Sequence, residues 1–288
     1  MQNIITENPL QLSGIDFVEF STDTPEKLHQ LFVDLGFSKI AKHRNKNIDL
    51  YRQGGITFML NYEKNSYGHK FQSVHGASIS AMGWRVKNSG KAVTDAVARG
   101  ARAFFKGDYA LLNDQLNGRG VPAIYGIGDS LIYLIEPDEF DEFTYARYGF
   151  EKLQDAVLVP DKGFLLIDHL TNNVYKGTMQ KWASFYKDIF GFTEVRYFDI
   201  KGQKTGLTSY ALKSPCGQFC IPINEANEAK SQINEYLYEY KGPGVQHLAF
   251  LTRDLIASMQ KLKSTSIQML DISPDYYKTV FDRVPNIK

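Results

Sequence analysis

One order of elements, a strand, a helix and then a run of strands, occurs four times along this chain, and it predicts an α+β fold. The expected architecture is two domains, each built from paired βαβββ modules that form an open, half-barrel sheet, with the fourth module incomplete. Three observations carry this. Each module opens on a short apolar strand, continues into a segment with apolar residues at helical spacing, and then alternates apolar and polar residues in runs of strand length. The halves also share residues, since Ile15-Asp16-Phe17 matches Ile167-Asp168-His169 and Leu35-Gly36-Phe37 matches Phe190-Gly191-Phe192, at offsets of 152 and 155.

The first module reads as strand GIDFVEF, helix PEKLHQLFVDLG, then strands FSKIAKH, IDLYRQG and ITFMLNY. Thr24 is placed to cap the helix and Pro25 to fill its first turn; Leu28, Leu31, Phe32 and Leu35 form the stripe, and Gly36 closes it. The second module follows with ISAMGWRVK, the helix GKAVTDAVARG ending on Gly100, and strands ARAFF, VPAIYGIG and SLIYLIE. Asp138, Glu139, Asp141 and Glu142 then break the rhythm, so residues 138–163 read as a connecting segment, with domains at 1–150 and 151–288. The third module is FLLIDHLTNNV, the helix TMQKWASFYKDIFG, and strands FTEVRYFDI, LTSYALKSP and QFCIPIN. The fourth starts at Gly242-Pro243-Gly244 with strand VQHLAFLT and helix DLIASMQKLKS. With Met82 taken as the counterpart of His247, the first half uses 54 residues to reach Glu136, and only 41 remain after His247, so one or two final strands are expected to be absent.

Composition narrows the function classes. A chain of 288 residues, 43% hydrophobic and 13% aromatic, can bury a sizeable core. Lys and Arg number 33 against 32 Asp and Glu, so no net field favours nucleic acid or an anionic membrane. No apolar run approaches the ~20 residues of a membrane span, and MQNIITENPLQLSG lacks the basic and apolar regions of a secretory leader. A cytoplasmic location is expected. Cys216 and Cys220, with three residues between them, fit neither a disulfide framework nor a zinc knuckle and are read as packed thiols.

The chemistry is expected at His169 and His247, each opening an apolar strand of the second half. Two neutral imidazoles on neighbouring strands, with one carboxylate, make the open face of non-haem Fe(II) oxygenases. The sister half has Phe17 at the place of His169 and Met near position 82 at the place of His247, and it packs without either histidine. Strand alternation predicts that Asp168 faces away from His169 in a structural role, and that Gln246 faces away from His247 unless the strand bulges. His29, His43, His69, His75, Glu225 and Asp254 are assigned non-catalytic roles, and Tyr236, Tyr238 and Tyr240 a packed surface segment.

DHLTNNV, PINEANEAKSQINEY and GPGVQHLAF, in this order across the second half, resemble segments of the 4-hydroxyphenylpyruvate dioxygenase family in the vicinal oxygen chelate superfamily. The resemblance implies an Fe(II) cofactor held by His169 and His247. It also implies a substrate pocket including Ser209, Pro222, Asn224, Gln232 and Gln246, and conversion of a 2-oxo acid and O2 to homogentisate and CO2 in tyrosine catabolism. The family's third ligand is a glutamate on a late strand, followed by a closing C-terminal helix; neither has a match in this sequence. Three alternatives stay open: the body of such a dioxygenase, inactive as it stands; a short form that binds a small molecule or metal without turnover; and an oxygenase of hydroxymandelate synthase type. A homo-oligomer, dimer or tetramer, is expected, with Trp84 as an exposed apolar position on the first domain.

Overall fold

Two mixed sheets organise the chain. The structure is a computed structural model that describes residues 7–104, 121–137, 143–201 and 206–283. In the first half come β1 (Leu12–Ser21), α1 (Pro25–Asp34), β2 (Ser38–His43), β3 (Ile48–Gln53), β4 (Ile56–Asn61), α2 (Tyr67–His75), β5 (Ser78–Val86), α3 (Ser89–Ala98), β6 (Ala123–Tyr125), β7 (Leu131–Ile135) and β8 (Phe150–Lys152). The second half holds β9 (Phe164–Val174), α4 (Met179–Phe190), β10 (Thr193–Lys201), β11 (Gly206–Lys213), β12 (Cys220–Ala226), α5 (Gln232–Glu239), β13 (Gly244–Thr252), α6 (Leu255–Leu262) and α7 (Pro274–Arg283). The strand orders are β6-β7-β5-β1-β4-β3-β2-β8 and β10-β11-β12-β9-β13. β4-β1-β5 and β12-β9-β13 are equivalent cores, with the first pair parallel and the second antiparallel in each.

Several local expectations change. Thr24 precedes α1 but makes no side-chain cap bond, so Pro25 in the first turn is the effective start signal. In the stripe of α1, Phe32 is buried while Leu31 is exposed at its edge. Gly36 and Gly191 both take positive φ after their helices, a conformation that a Cβ disfavours. ARAFF contributes one bridge, Ala103 to Ile124, instead of a strand, and Phe105 lies outside the described residues. Three α-helices were not anticipated: α2, capped by the Ser66 hydroxyl on His69 N, α5, capped by Ser231 on Asn234 N, and α7 near the end of the described residues. Asp138, Glu139, Asp141 and Glu142 lie outside the described residues, but the rest of that connecting segment supplies β8, which pairs with β2.

Strand pairing gives the internal repeat an unambiguous register. Ile15–Trp84, Phe17–Gly83, Val18–Met82 and Glu19–Ala81 in the first half correspond to Ile167–Phe250, His169–Ala249, Leu170–Leu248 and Thr171–His247 in the second. His169 therefore replaces Phe17, as expected. His247 replaces Ala81, not Met82, which stands opposite Val18 and matches Leu248.

Apolar residues on one face of each sheet, with α1, α3 and α4, form a single core that spans both halves. Trp84, expected to be exposed, is 0% exposed; its ring meets Phe190 at 4.8 Å, Phe219 at 5.2 Å and Phe192 at 5.8 Å, all in the second half. Its support for an assembly role is thereby withdrawn. Phe250 closes the other end, stacked on Phe164 at 4.5 Å and near Phe37 and Phe58. Buried Gln53 fastens the joint, accepting from Lys162 N at 2.6 Å and donating to Leu35 O at 2.8 Å. The opposite, inner faces differ. In the first half this face is filled by Phe17, Ala81, Leu131, Tyr133, Phe143 and Tyr145; in the second it carries polar side chains.

Candidate metal centre

Each histidine sits beside a break in strand register. Pairing of β9 with β13 jumps from Ile167–Phe250 to His169–Ala249, so Asp168 is the extra residue of a β-bulge. A second jump, from Asn172–Val245 to Thr171–His247, makes Gln246 the extra residue on β13. A bulge interrupts alternation and lets consecutive side chains lean to one side. Asp168, expected to face away, instead places Oδ2 2.7 Å from His169 Nδ1. Gln246 Oε1 likewise bonds His247 Nδ1. Carboxylate and amide oxygens accept only, so each Nδ1 donates and each Nε2 keeps its lone pair, the arrangement of a metal-binding histidine with an outer partner.

The two rings lie 5.5 Å apart between centroids, with planes 78° apart. Two imidazoles bound through nitrogens about 2.1 Å from one metal have centroids roughly 4.6 to 5.6 Å apart for ligand angles of about 90° to 120°. The pair fits a shared ion. Burial, then the neighbouring His169, holds the His247 imidazole below its ordinary pKa, which favours the neutral, metal-binding form. Among the described residues no further His, Cys, Asp or Glu joins the pair in a three-ligand group. Glu225 accepts from Gly177 N and Met179 N at the start of α4, and Asp254 caps α6 at Ala257 N.

Directly opposed residues share a face, so the register identifies the neighbours of the two histidines. Ser209, Asn224 and Asn173 form one row across β11, β12 and β9; Ala211 and Pro222 form the next; Lys213, Cys220, His169 and Ala249 form a third. Asn224 Nδ2 donates to Asn173 Oδ1 at 3.4 Å. Ser209, Pro222, Asn224 and both histidines thus occupy one face. Gln232 is separate, exposed at the start of α5, the helix that packs Ile233 and Leu237 onto Ala226 and Leu207. Thr171, Asn173 and Cys220 were missed as residues of this face. Asn172-Asn173 in DHLTNNV was the available signal for Asn173, while the position of Cys220 depends on a parallel pairing that single-strand patterns do not reveal.

Residues 6–150 match the family model described as hydroxyphenylpyruvate dioxygenase, HPPD, N-terminal, and residues 166–282 that of the glyoxalase/bleomycin resistance protein/dioxygenase superfamily. Protein MelA of Shewanella colwelliana is 52% identical over 282 residues, covering 98% of this chain and 79% of that protein. A 4-hydroxyphenylpyruvate dioxygenase of Legionella pneumophila (strain Corby) is 41% identical over 285 residues, covering 99% and 78%. The chain belongs to the 4-hydroxyphenylpyruvate dioxygenase family. Members are non-haem iron dioxygenases, so Fe(II) is the metal the family implies for this face. The fold agrees: a xylose isomerase-like TIM barrel/4-hydroxyphenylpyruvate dioxygenase fusion protein superposes with a TM-score of 0.78 at 29% identity, covering 98% of this chain and 43% of that one. A variant of 4-hydroxymandelate synthase from Streptomyces coelicolor gives 0.76 at 22% identity, covering 93% and 80%, a likeness of fold. Among the described residues no helix is long and apolar enough to cross a membrane.

Proposed function

We propose that His169 and His247 hold Fe(II), that the second half is the catalytic domain, and that the reaction is oxidation of 4-hydroxyphenylpyruvate by O2 to homogentisate and CO2. The observation that carries this reading is the shared face on which both rings have Nδ1 occupied and Nε2 available. When bound, the iron supplies adjacent coordination positions for a keto acid and dioxygen.

The chain's own residues orient the rest of the substrate. Asn224, tied to Asn173, and Ser209 beside it offer neutral donors and acceptors, which suit a phenol hydroxyl without adding charge near the metal. Pro222, which lacks an N–H, walls the same face. Gln246 spends its amide oxygen on His247, leaving its NH2 group for the substrate. Gln232, exposed at the start of α5, is assigned to the substrate only through the resemblance of PINEANEAKSQINEY to the family. In the family reading a glutamate is the third ligand. In the first half β7 pairs with β5, and Tyr133 on β7 lies 6.0 Å between rings from Phe17, the counterpart of His169, which supports a late strand as the source of that ligand.

The test is oxygen uptake with 4-hydroxyphenylpyruvate by the Fe(II)-supplemented chain, alone and extended by any downstream coding sequence, together with product identification and Fe(II) titration. Homogentisate formation, with iron binding abolished in His169→Ala and His247→Ala, is the expected result. Undiminished iron binding in either variant overturns the ligand assignment. Hydroxymandelate as product moves the chain to the other oxygenase type, and keto-acid binding without uptake makes it a binder.

A further inference from the structure

The two halves carry the same aspartate at the same kink and give it different partners. In the first half, pairing jumps from Ile15–Trp84 to Phe17–Gly83, leaving Asp16 as the extra residue. Its carboxylate accepts from Arg85 Nε at 2.9 Å and from the Tyr145 hydroxyl at 2.5 Å. The register that matches Asp16 to Asp168 also matches Phe17 to His169 and Arg85 to Leu251, since Trp84 aligns with Phe250 and Val86 with Thr252. In the second half the arginine is therefore replaced by an aliphatic side chain, and an imidazole stands where the phenyl ring was. Asp168 turns to that imidazole, with Oδ2 2.7 Å from Nδ1.

We infer that Asp168 is a positioning residue for the metal centre: it holds His169 as the Nδ1–H tautomer with Nε2 presented towards His247, and leucine instead of arginine at position 251 leaves it free to do so. This rests on the reading of His169 as a metal ligand. Asp168 is not itself placed as a ligand, because its oxygen occupies the ring nitrogen remote from the shared point. Removing an outer-shell partner of this kind characteristically lowers metal affinity about 10- to 100-fold.

Two measurements on the full chain test it. The first is nitrogen NMR of the metal-free protein, which reports the His169 tautomer directly. The second is Co(II) titration, followed by visible absorption, of wild type, Asp168→Ala, Asp168→Asn, Leu251→Arg, His169→Ala and, as a control, Asp16→Asn. The expected outcome is an Nδ1–H tautomer in wild type that is lost in Asp168→Ala. Co(II) affinity should fall about 10- to 100-fold in Asp168→Ala and in Leu251→Arg, where the new guanidinium recaptures the carboxylate, and recover in part in Asp168→Asn, which keeps an acceptor oxygen. Asp16→Asn should bind Co(II) as wild type does. An Nε2–H tautomer in wild type overturns the inference, as does wild-type affinity in both Asp168→Ala and Leu251→Arg while His169→Ala fails to bind; the ligand reading then stands. Undiminished Co(II) binding by His169→Ala overturns the ligand reading and this inference with it.

Discussion

Glu19 is a carboxyl group enclosed in the first half, at the position that Thr171 holds beside the metal face. One oxygen accepts from Ser80 at 2.7 Å and from Ser21 and Asn61 at 3.1 Å, and the other is buried with no hydrogen-bond partner among the described residues. Burial raises its pKa above 4.5 against these hydrogen bonds, so the folded chain favours the protonated form. Its contribution to stability is complete below the unfolded value and is lost as pH rises through the raised folded value. Glu19→Gln should therefore flatten the fall in melting temperature as pH rises above the ordinary carboxylate range, and an unchanged slope by calorimetry would refute this. At this scale the two histidines were legible because their residue type is rare on an apolar strand. Asp168 was misread because alternation assumes a regular strand, and a bulge exists only in the pairing of two strands. The shift from Met82 to Ala81 likewise emerges only from strand pairing, which fixes one constant offset between β5 and β13.

Strands and helices with strong periodicity were read correctly, and short elements that depend on tertiary contact were not. The segment YGHKFQSVH is polar, with Phe71 as its one fully buried large side chain, and α2 is held through Gly68 against Ser21, Asn61 and Glu19. The stripe of α5 is only Ile233 and Leu237, which left QINEYLYE with weak helical periodicity. These helices occupy equivalent places in the two halves, and stacked His75 and Tyr240 join them, with His75 Nδ1 2.6 Å from Tyr240 O. Within the first sheet the fill of the inner face depends on Gly83, because a Cβ there would be driven into the Phe17 ring. Gly83→Ala should cost about 1–3 kcal/mol in urea unfolding through overpacking. Because Phe17 lies in the first half's inner core, iron affinity should stay unchanged.

For the molecule as a whole, the shared core makes the halves one thermodynamic unit. Trp84→Ala removes an indole packed between them and should cost about 3–5 kcal/mol while preserving a single unfolding transition, monitored by the fluorescence of the remaining Trp182. Two separated transitions in wild type would show that the halves are independent. The duplicated architecture was legible because strand and helix periods survive divergence; the shared core was not, since nothing local distinguishes a residue buried between halves from one buried within a half. The bulges add a historical dimension. Asp16 and Asp168 mark one kink, and Ser80 and Gln246 another, at matched positions in both copies. Matched insertions are what duplication of a single-copy ancestor already carrying these kinks would leave. The histidines stand in one copy alone, so the backbone irregularities that aim them are shared by a half that has no histidine there.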